Sequence, residues 1–224
     1  MTAPFVLVHS PLVGPATWSW VADELEELAR RVVVPSLKGA VSAGSWEGCV
    51  EAVVRDTPTE PAVVVGHSGA GPLLPQIASR LSETPQQLVF VDATVPPPSG
   101  TAPLIPDEFL ASIKDLARGG ILPRWSEWFQ PETFEDLVPD PDRRAVVLAD
   151  LPEVPLSFFD GRVPLPRGWS SVKGAFILLS DLYRSEAARA GSFGWPVSEL
   201  PGAHLDIVIR AGEVADVLVD LPEP

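Results

Sequence analysis

The 224-residue sequence is short of several features that particular classes of protein require. A single cysteine, Cys49, excludes an intramolecular disulfide, and three scattered histidines offer no spacing typical of a metal site. Sixteen Lys and Arg face 30 Asp and Glu, and the resulting net charge of −14 disfavours nucleic acid because its phosphates would be repelled. No apolar run approaches the ~20 residues that span a bilayer, and no basic segment of a signal peptide precedes the first apolar stretch.

These absences define the partners that we expect. The sequence predicts a cytoplasmic protein with no nucleic-acid, membrane or metal partner. It predicts a small-molecule substrate, and a strongly anionic one is disfavoured by the same net charge. The oligomeric state is left open between monomer and homodimer.

Hydrophobic residues make up 46% of the chain, enough for a sizeable buried core. Short apolar runs rich in β-branched residues predict strands that are covered on both faces, because they are continuous rather than alternating. These five runs are residues 5–8, 32–34, 62–65, 88–91 and 175–179, and a sixth short strand is predicted at 197–200. Helical patterns separate them at residues 18–29, 46–55, 71–81, 183–190 and 212–220. This alternation predicts an α/β protein with a doubly wound, mostly parallel sheet.

The segment from about 96 to 166 breaks this alternation. It contains Pro96-Pro97-Pro98 and no convincing strand, yet it is rich in aromatic residues, Trp125 and Trp128 among them. We expect a small, mainly helical cap inserted in a single domain whose core comprises residues 1–95 and 167–224, above the sheet edge where such folds bind ligands. In the alternative, the aromatic residues pack a loop-rich side of the core. The two tryptophans are candidates to line a substrate pocket or to anchor the cap.

The sequence Gly66-His67-Ser68-Gly69-Ala70 follows the third predicted strand and precedes a helix. Small residues on either side of a serine in this context are typical of a nucleophile elbow, a tight turn that presents the hydroxyl at the sheet edge. The backbone N–H of Gly69 would then stabilise an oxyanion. Ser68 is therefore the candidate nucleophile. A passive serine in a glycine-rich turn is the alternative.

With this elbow, the sequence resembles the α/β-hydrolase superfamily, in its esterase-like branch, over nearly its whole length. His9-Ser10-Pro11 with Trp18 downstream is similar to the oxyanion loop of the superfamily, and Pro201-Gly202-Ala203-His204 to the turn that holds the catalytic histidine. The resemblance implies the α/β-hydrolase fold, a triad in the order Ser, acid, His, and no cofactor. His204 is the candidate base, because His67 adjoins Ser68 within the elbow and a histidine at the position of His9 is usually structural.

The acid of the triad is ambiguous. Asp92 ends the fourth predicted strand, where some members of the superfamily place their acid. Asp181 follows the fifth predicted strand, the usual location, although the family spacing puts Tyr183 at the expected position and Asp181 could cap a helix instead. Asp206 is a weaker third candidate.

The oxyanion loop departs from the family pattern. Pro11 has no N–H to donate, so a second oxyanion donor must come from the Leu12 N–H or the Ser10 hydroxyl. Tyr183 is a candidate to donate a hydrogen bond to substrate, or else simply packs. The leading prediction is hydrolysis of an ester, thioester or lactone of a small apolar metabolite. The alternatives are a lyase or cyclase on the same fold and a non-catalytic ligand-binding protein.

Overall fold

A six-stranded parallel sheet forms the centre of the computed structural model, which describes residues 3–221. In chain order the strands of the whole structure are β1 Phe5–Val8, β2 Val32–Val33, β3 Val63–His67, β4 Gln87–Val91, β5 Thr101–Pro103, β6 Ile121–Leu122, β7 Val154–Pro155, β8 Arg162–Pro164, β9 Gly174–Leu178 and β10 Val197–Glu199. The central sheet has the order β10-β9-β4-β3-β1-β2, and all of its pairings are parallel. The carboxyl ends of its strands therefore meet at one edge.

Both faces of the sheet are covered, which explains why its strands are apolar without alternation. Val6, Val64 and Phe90 pack into a core on one face, and their chain neighbours Leu7 and Val65 pack into a second core on the other. All five side chains are fully buried.

Ten α-helices and several 3-10 turns surround the sheet within the described residues. The helices are α1 Ser19–Glu27, α2 Lys38–Ser42, α3 Trp46–Asp56, α4 Leu74–Arg80, α5 Asp107–Ile113, α6 Pro131–Leu137, α7 Pro141–Asp150, α8 Arg184–Ser192, α9 Asp206–Ile209 and α10 Ala211–Asp220. α2, α3, α4 and α8 contribute to the first core, and α1, α9 and α10 to the second. The predicted α/β class with a doubly wound parallel sheet is confirmed. None of these helices is both long and apolar enough to cross a bilayer.

The helix after the elbow differs from its prediction at residues 71–81. A 3-10 turn, Ser68–Leu73, begins directly at Ser68, and the α-helix starts only at Leu74. Pro72 and Pro75 explain the delay, because neither has an N–H to donate to a carbonyl four residues earlier.

The expectation that residues 96–166 contain no strand is wrong. β5 pairs with β8 and β6 with β7, each as a short antiparallel ladder. Strands of two or three residues are too short to produce an alternating pattern by which they could be predicted. Helices α5, α6 and α7 lie in the same segment. Its assignment as a cap with boundaries at about 96 and 166 stays a prediction.

Candidate active site

Ser68 lies at the sharp turn between β3 and the following 3-10 turn. Its φ of +56° is in the left-handed region, which a non-glycine residue adopts only under strain. The neighbours must be small. A Cβ on Gly66 would lie 2.9 Å from Leu74, and one on Gly71 would lie 2.0 Å from the carbonyl oxygen of Thr94. The family pattern has its second glycine at position 70. In this protein it is position 71 that leaves no room for a Cβ, so an alanine is accommodated at the buried position 70.

His204 lies in the loop after β10, with its imidazole between Ser68 and Asp92. His204 Nε2 is 3.0 Å from Ser68 Oγ, and His204 Nδ1 is 2.9 Å from Asp92 Oδ2. The preceding turn is held by a hydrogen bond of 2.7 Å from the Gly202 N–H to the Leu179 carbonyl oxygen. Residues 136 positions apart in the chain are thereby brought into hydrogen-bond contact.

Asp92 is fully buried at the carboxyl end of β4, with a φ of +43°. Oδ1 accepts hydrogen bonds from the backbone N–H groups of Leu179 and Ser180 at 2.9 and 3.0 Å. Oδ2 accepts from Ser180 Oγ at 2.5 Å as well as from His204. Burial by itself would raise the pKa of this carboxyl, but the hydrogen bonds from His204 and Ser180 outweigh it and hold the pKa below its ordinary value. No pattern around Ser180 in the sequence indicates this role.

The structure does not bring the other two candidate acids to His204. The Asp181 side chain is 89% exposed and pairs with Arg184 at 2.6 Å, so its placement in the triad is corrected. It follows β9 on the outside of the loop, whereas Ser180 faces Asp92. Asp206 Oδ2 instead accepts from the Ala203 N–H at 3.1 Å and stabilises the turn that precedes His204.

His67 contacts His204 through both its ring face and a hydrogen bond. Its ring stacks on the His204 ring with centroids 4.5 Å apart, and its Nε2–H donates to the His204 carbonyl oxygen at 3.0 Å. Burial, followed by the proximity of His204, lowers the pKa of His67 to about 3, so the ring is neutral at physiological pH. Trp18 packs edge-on against its ring at 6.0 Å. In the sequence, only the position of His67 next to Ser68 indicates that it could take part in the site.

Tyr183 contacts both Ser68 and His204. Its hydroxyl lies 3.2 Å from Ser68 Oγ, and its ring is nearly parallel to the His204 ring at 5.0 Å. Burial raises the pKa of Tyr183 to about 12, although the hydrogen bond to Ser68 acts in the opposite direction. The phenol therefore keeps its proton. Since Ser68 has a single hydroxyl proton to share with His204, Tyr183 is suited to donate to Ser68 Oγ.

The oxyanion loop follows β1 and packs closely against Gly69. A Cβ on Gly69 would lie 3.0 Å from Ser10 Oγ and 3.4 Å from Pro11 Cδ. A larger residue at position 69 would push Ser10 out of place, and the Ser10 hydroxyl lies beside the Gly69 backbone. The Leu12 N–H donates to Ser10 Oγ at 3.3 Å, so the two candidate donors of this loop are linked to each other.

His9 holds the same loop from its buried side. Its Nδ1–H donates to the Ser10 carbonyl oxygen at 2.8 Å, and its Nε2 accepts from the Leu37 N–H at 3.0 Å. Burial lowers the pKa of His9 to about 4, so it is neutral and can act as an acceptor. Both ring nitrogens of His9 are therefore engaged in holding the loop.

A cavity opens above Ser68, and Trp125 is among its lining residues. The Trp125 ring packs edge-on against the His204 ring at 6.5 Å. Trp128 is not in the lining. Its Nε1–H donates to the Pro123 carbonyl oxygen at 2.8 Å, and its ring packs on Phe109, so only one of the two predicted tryptophans is placed to meet a ligand. Within residues 3–221 no three His, Cys, Asp or Glu side chains are grouped as metal ligands.

A parallel α/β sheet with a serine elbow, an imidazole and a buried carboxylate at its carboxyl edge defines the class of this protein. A model of the alpha/beta hydrolase family matches residues 5–217, and the chain belongs to this family. The resemblance inferred from the elbow is therefore confirmed, and the chain is an enzyme of the α/β-hydrolase type.

Esterases and hydrolases are among the proteins that this chain is similar to. A carbendazim hydrolyzing esterase from Nocardioides sp. (strain SG-4G) is 25% identical over 244 residues, covering 98% of this chain and 99% of the relative. An extracellular α/β-hydrolase from a Paenibacillus species has a TM-score of 0.79 at 17% identity, with both chains fully covered. The pyrethroid hydrolase PytH has a TM-score of 0.75 at 17% identity, and the match covers 98% of this chain and 97% of the PytH chain. The two structural likenesses show the shared fold.

Proposed function

We propose that this protein is a serine hydrolase that cleaves a carboxylic ester, thioester or lactone of a small apolar molecule. The single observation that supports this most directly is the chain of two hydrogen bonds from Ser68 Oγ to His204 at 3.0 Å and from His204 to Asp92 at 2.9 Å. Such a chain is what a weakly nucleophilic hydroxyl needs to be activated. The similarity to a carbendazim hydrolyzing esterase supports the same reaction class.

In the proposed mechanism, His204 Nε2 takes the hydroxyl proton as Ser68 Oγ attacks the carbonyl carbon. The resulting tetrahedral intermediate collapses when the same proton passes from His204 to the leaving atom, which is oxygen in an ester or lactone and sulfur in a thioester. A water molecule then repeats the sequence on the acyl-enzyme and regenerates Ser68. Asp92 orients His204 by accepting from Nδ1–H, and its other hydrogen bonds keep it ionised.

His67 has a positioning role in this proposal. It holds the His204 backbone through the carbonyl oxygen and covers one ring face. During turnover His204 becomes an imidazolium, and a second cation stacked on it would oppose that charge. The low pKa of His67 keeps this neighbour neutral throughout.

For the oxyanion, we assign the two donors to the Gly69 N–H and the Ser10 hydroxyl. Ser10 Oγ already accepts from the Leu12 N–H, which leaves its own proton free to point toward the oxyanion. A hydroxyl would thereby replace the backbone donor that Pro11 lacks. With this second donor, the departure at Pro11 is compatible with hydrolysis. A non-catalytic ligand-binding role is disfavoured by the short distance between Ser68 and His204.

The test is the Ser68→Ala variant, assayed on 4-nitrophenyl acetate. We expect kcat/KM to fall by about 10⁴-fold or more, because the triad loses its nucleophile. Ser79→Ala is the matched control, since this exposed serine on α4 bonds only locally to the Gln76 carbonyl oxygen. A fluorophosphonate should label the wild-type protein at Ser68 and leave Ser68→Ala unlabelled. Unchanged turnover in Ser68→Ala would refute the proposal.

A further inference from the structure

The space above Ser68 is divided into two lobes. Both are lined by five shared residues, namely Ser10, Leu12, Ser68, Phe109 and Tyr183. Because the candidate nucleophile and the candidate oxyanion donor Ser10 border both lobes, one substrate could place a different part of its structure in each.

The lobes differ in which catalytic group they contain. The first, here the histidine lobe, is additionally lined by Val13, His67, Trp125, Leu182, His204 and Leu205. The second, here the glycine lobe, is additionally lined by Gly69, Thr94, Leu104, Ile105 and Pro106. His204 therefore borders the first and Gly69 the second.

This difference assigns the two ends of an ester. The leaving oxygen must receive a proton from His204 Nε2, so the alcohol portion has to extend into the lobe that His204 lines. The carbonyl oxygen must face the Gly69 N–H, and the remaining substituent of the carbonyl carbon, the acyl chain, then extends into the glycine lobe. We infer that the substrate is a neutral ester with a short acyl group in the glycine lobe and a larger, flat apolar alcohol in the histidine lobe. This inference rests on the proposed function.

The sizes of the lobes set the sizes of these groups. The glycine lobe has a volume of about 60 Å³ and the histidine lobe about 100 Å³. The histidine lobe is therefore the larger of the two. The smaller lobe suits the shorter group of the ester, and the larger lobe suits the bulkier one.

The chemistry of the lining sets the polarity. Among the described residues, no Asp, Glu, Lys or Arg lines either lobe. Phe109 and Tyr183 present aromatic surface to both lobes. Trp125 adds to it in the histidine lobe, whereas Leu104 and Ile105 add aliphatic surface in the glycine lobe. A charged acid or alcohol would be desolvated there without a partner, which is costly. Aromatic surface favours a flat apolar alcohol.

The test uses two series of substrates on the full chain. In the first, 4-nitrophenyl esters vary the acyl chain from acetyl to octanoyl. In the second, acetates of ethanol and benzyl alcohol compare alcohols of different size. We expect kcat/KM to fall at least about 10-fold from butyryl to octanoyl and to rise about 10-fold from ethyl to benzyl acetate, the range that apolar pockets discriminate.

Variants separate the two lobes. Ile105→Ala should enlarge the glycine lobe and raise the octanoyl-to-acetyl ratio about 10-fold without changing the benzyl-to-ethyl ratio. Trp125→Ala should lower the benzyl-to-ethyl ratio and leave the acyl series unchanged. If Ile105→Ala fails to fold, Thr94→Leu on the half-buried side of the lobe should instead move the acyl preference toward acetyl. Leu28→Ala, an apolar truncation at the exposed end of α1, is the control.

The outcomes distinguish this inference from the proposed function. If Ser68→Ala is inactive but Ile105→Ala changes the alcohol preference and Trp125→Ala the acyl preference, the lobe assignment is overturned while the hydrolase stands. Equal turnover across both series in the wild-type protein would also overturn it. Activity retained in Ser68→Ala would instead overturn the proposed function itself.

Discussion

The oxyanion loop allows a loss of function to be rescued. In Ser10→Ala one of the two assigned oxyanion donors is removed, while the backbone of this buried residue is kept. Loss of one such donor costs about 3 kcal/mol of transition-state stabilisation, or about 10²-fold in kcat. The Leu12 N–H, which donates to Ser10 Oγ in the wild-type protein, is released and offsets part of this loss. We therefore expect kcat to fall about 10- to 100-fold with little change in KM.

Pro11→Ala should restore activity to the Ser10→Ala variant. Pro11 Cδ, which is bonded to the backbone nitrogen, lies 3.4 Å from the position of a Cβ on Gly69. Replacing the ring with alanine puts an N–H on the side of the loop that faces Gly69, and we expect this N–H to reach the assigned oxyanion. We expect the double variant to recover about 10-fold in kcat, and Pro11→Ala alone to gain less because Ser10 is still present.

The assay is a double-mutant cycle on 4-nitrophenyl acetate, with thermal unfolding of each variant. Removing a loop proline lowers stability by up to about 1 kcal/mol, and Pro15→Ala, at the start of the 3-10 turn that follows the loop, controls for that effect. The reasoning is refuted if Ser10→Ala keeps the wild-type kcat, or if Pro11→Ala lowers kcat equally in both backgrounds. Either result would place the second donor elsewhere.

Two further predictions concern the buried titratable groups. Asp92→Asn should lower kcat by about 10³- to 10⁴-fold, since an amide favours the wrong imidazole tautomer. Asp181→Asn, at an exposed position, should change kcat by less than about twofold. Equal losses of kcat in the two variants in steady-state assays would contradict the assignment of the acid. His9 and His67 have pKa values near 4 and 3 in the folded protein, so both stay neutral there. In the unfolded chain the same two histidines bind protons below about pH 6.5, and the free energy of unfolding therefore falls as the pH falls. Between pH 7 and pH 5 the free energy of unfolding in urea should drop by about 4 kcal/mol, and a flat profile would show that these histidines are not buried as described.

The sequence predicted those features that depend on local pattern. Continuous apolar runs predicted the central strands, and the small residues around Ser68 predicted the elbow, because both constraints act within a few residues. The choice between Asp92 and Asp181 depends on long-range pairing. β4 and β9 are neighbours, so both aspartates come to the same sheet edge, and only the direction of each side chain separates them. Asp92 points inward to Ser180, whereas Asp181 points to solvent.

Contacts between side chains from different strands could not be predicted from the sequence either. The stacking of His67 and Tyr183 on His204 requires three segments distant in sequence, and no periodicity in any one of them indicates it. The short strands β5 to β8 were missed for the opposite reason, because their local pattern is too brief.

The separation of 136 residues between Ser68 and His204 has a consequence for synthesis of the protein on the ribosome. The elbow, the oxyanion loop and Asp92 all lie in the first 92 residues, so a growing chain contains its candidate nucleophile long before its base. Pairing of β10 with β9 and the turn at Gly202 are needed to bring His204 into place. Esterase activity should therefore appear only after the last strand has left the exit tunnel, and release of a coloured product would report completion of the fold rather than any earlier stage.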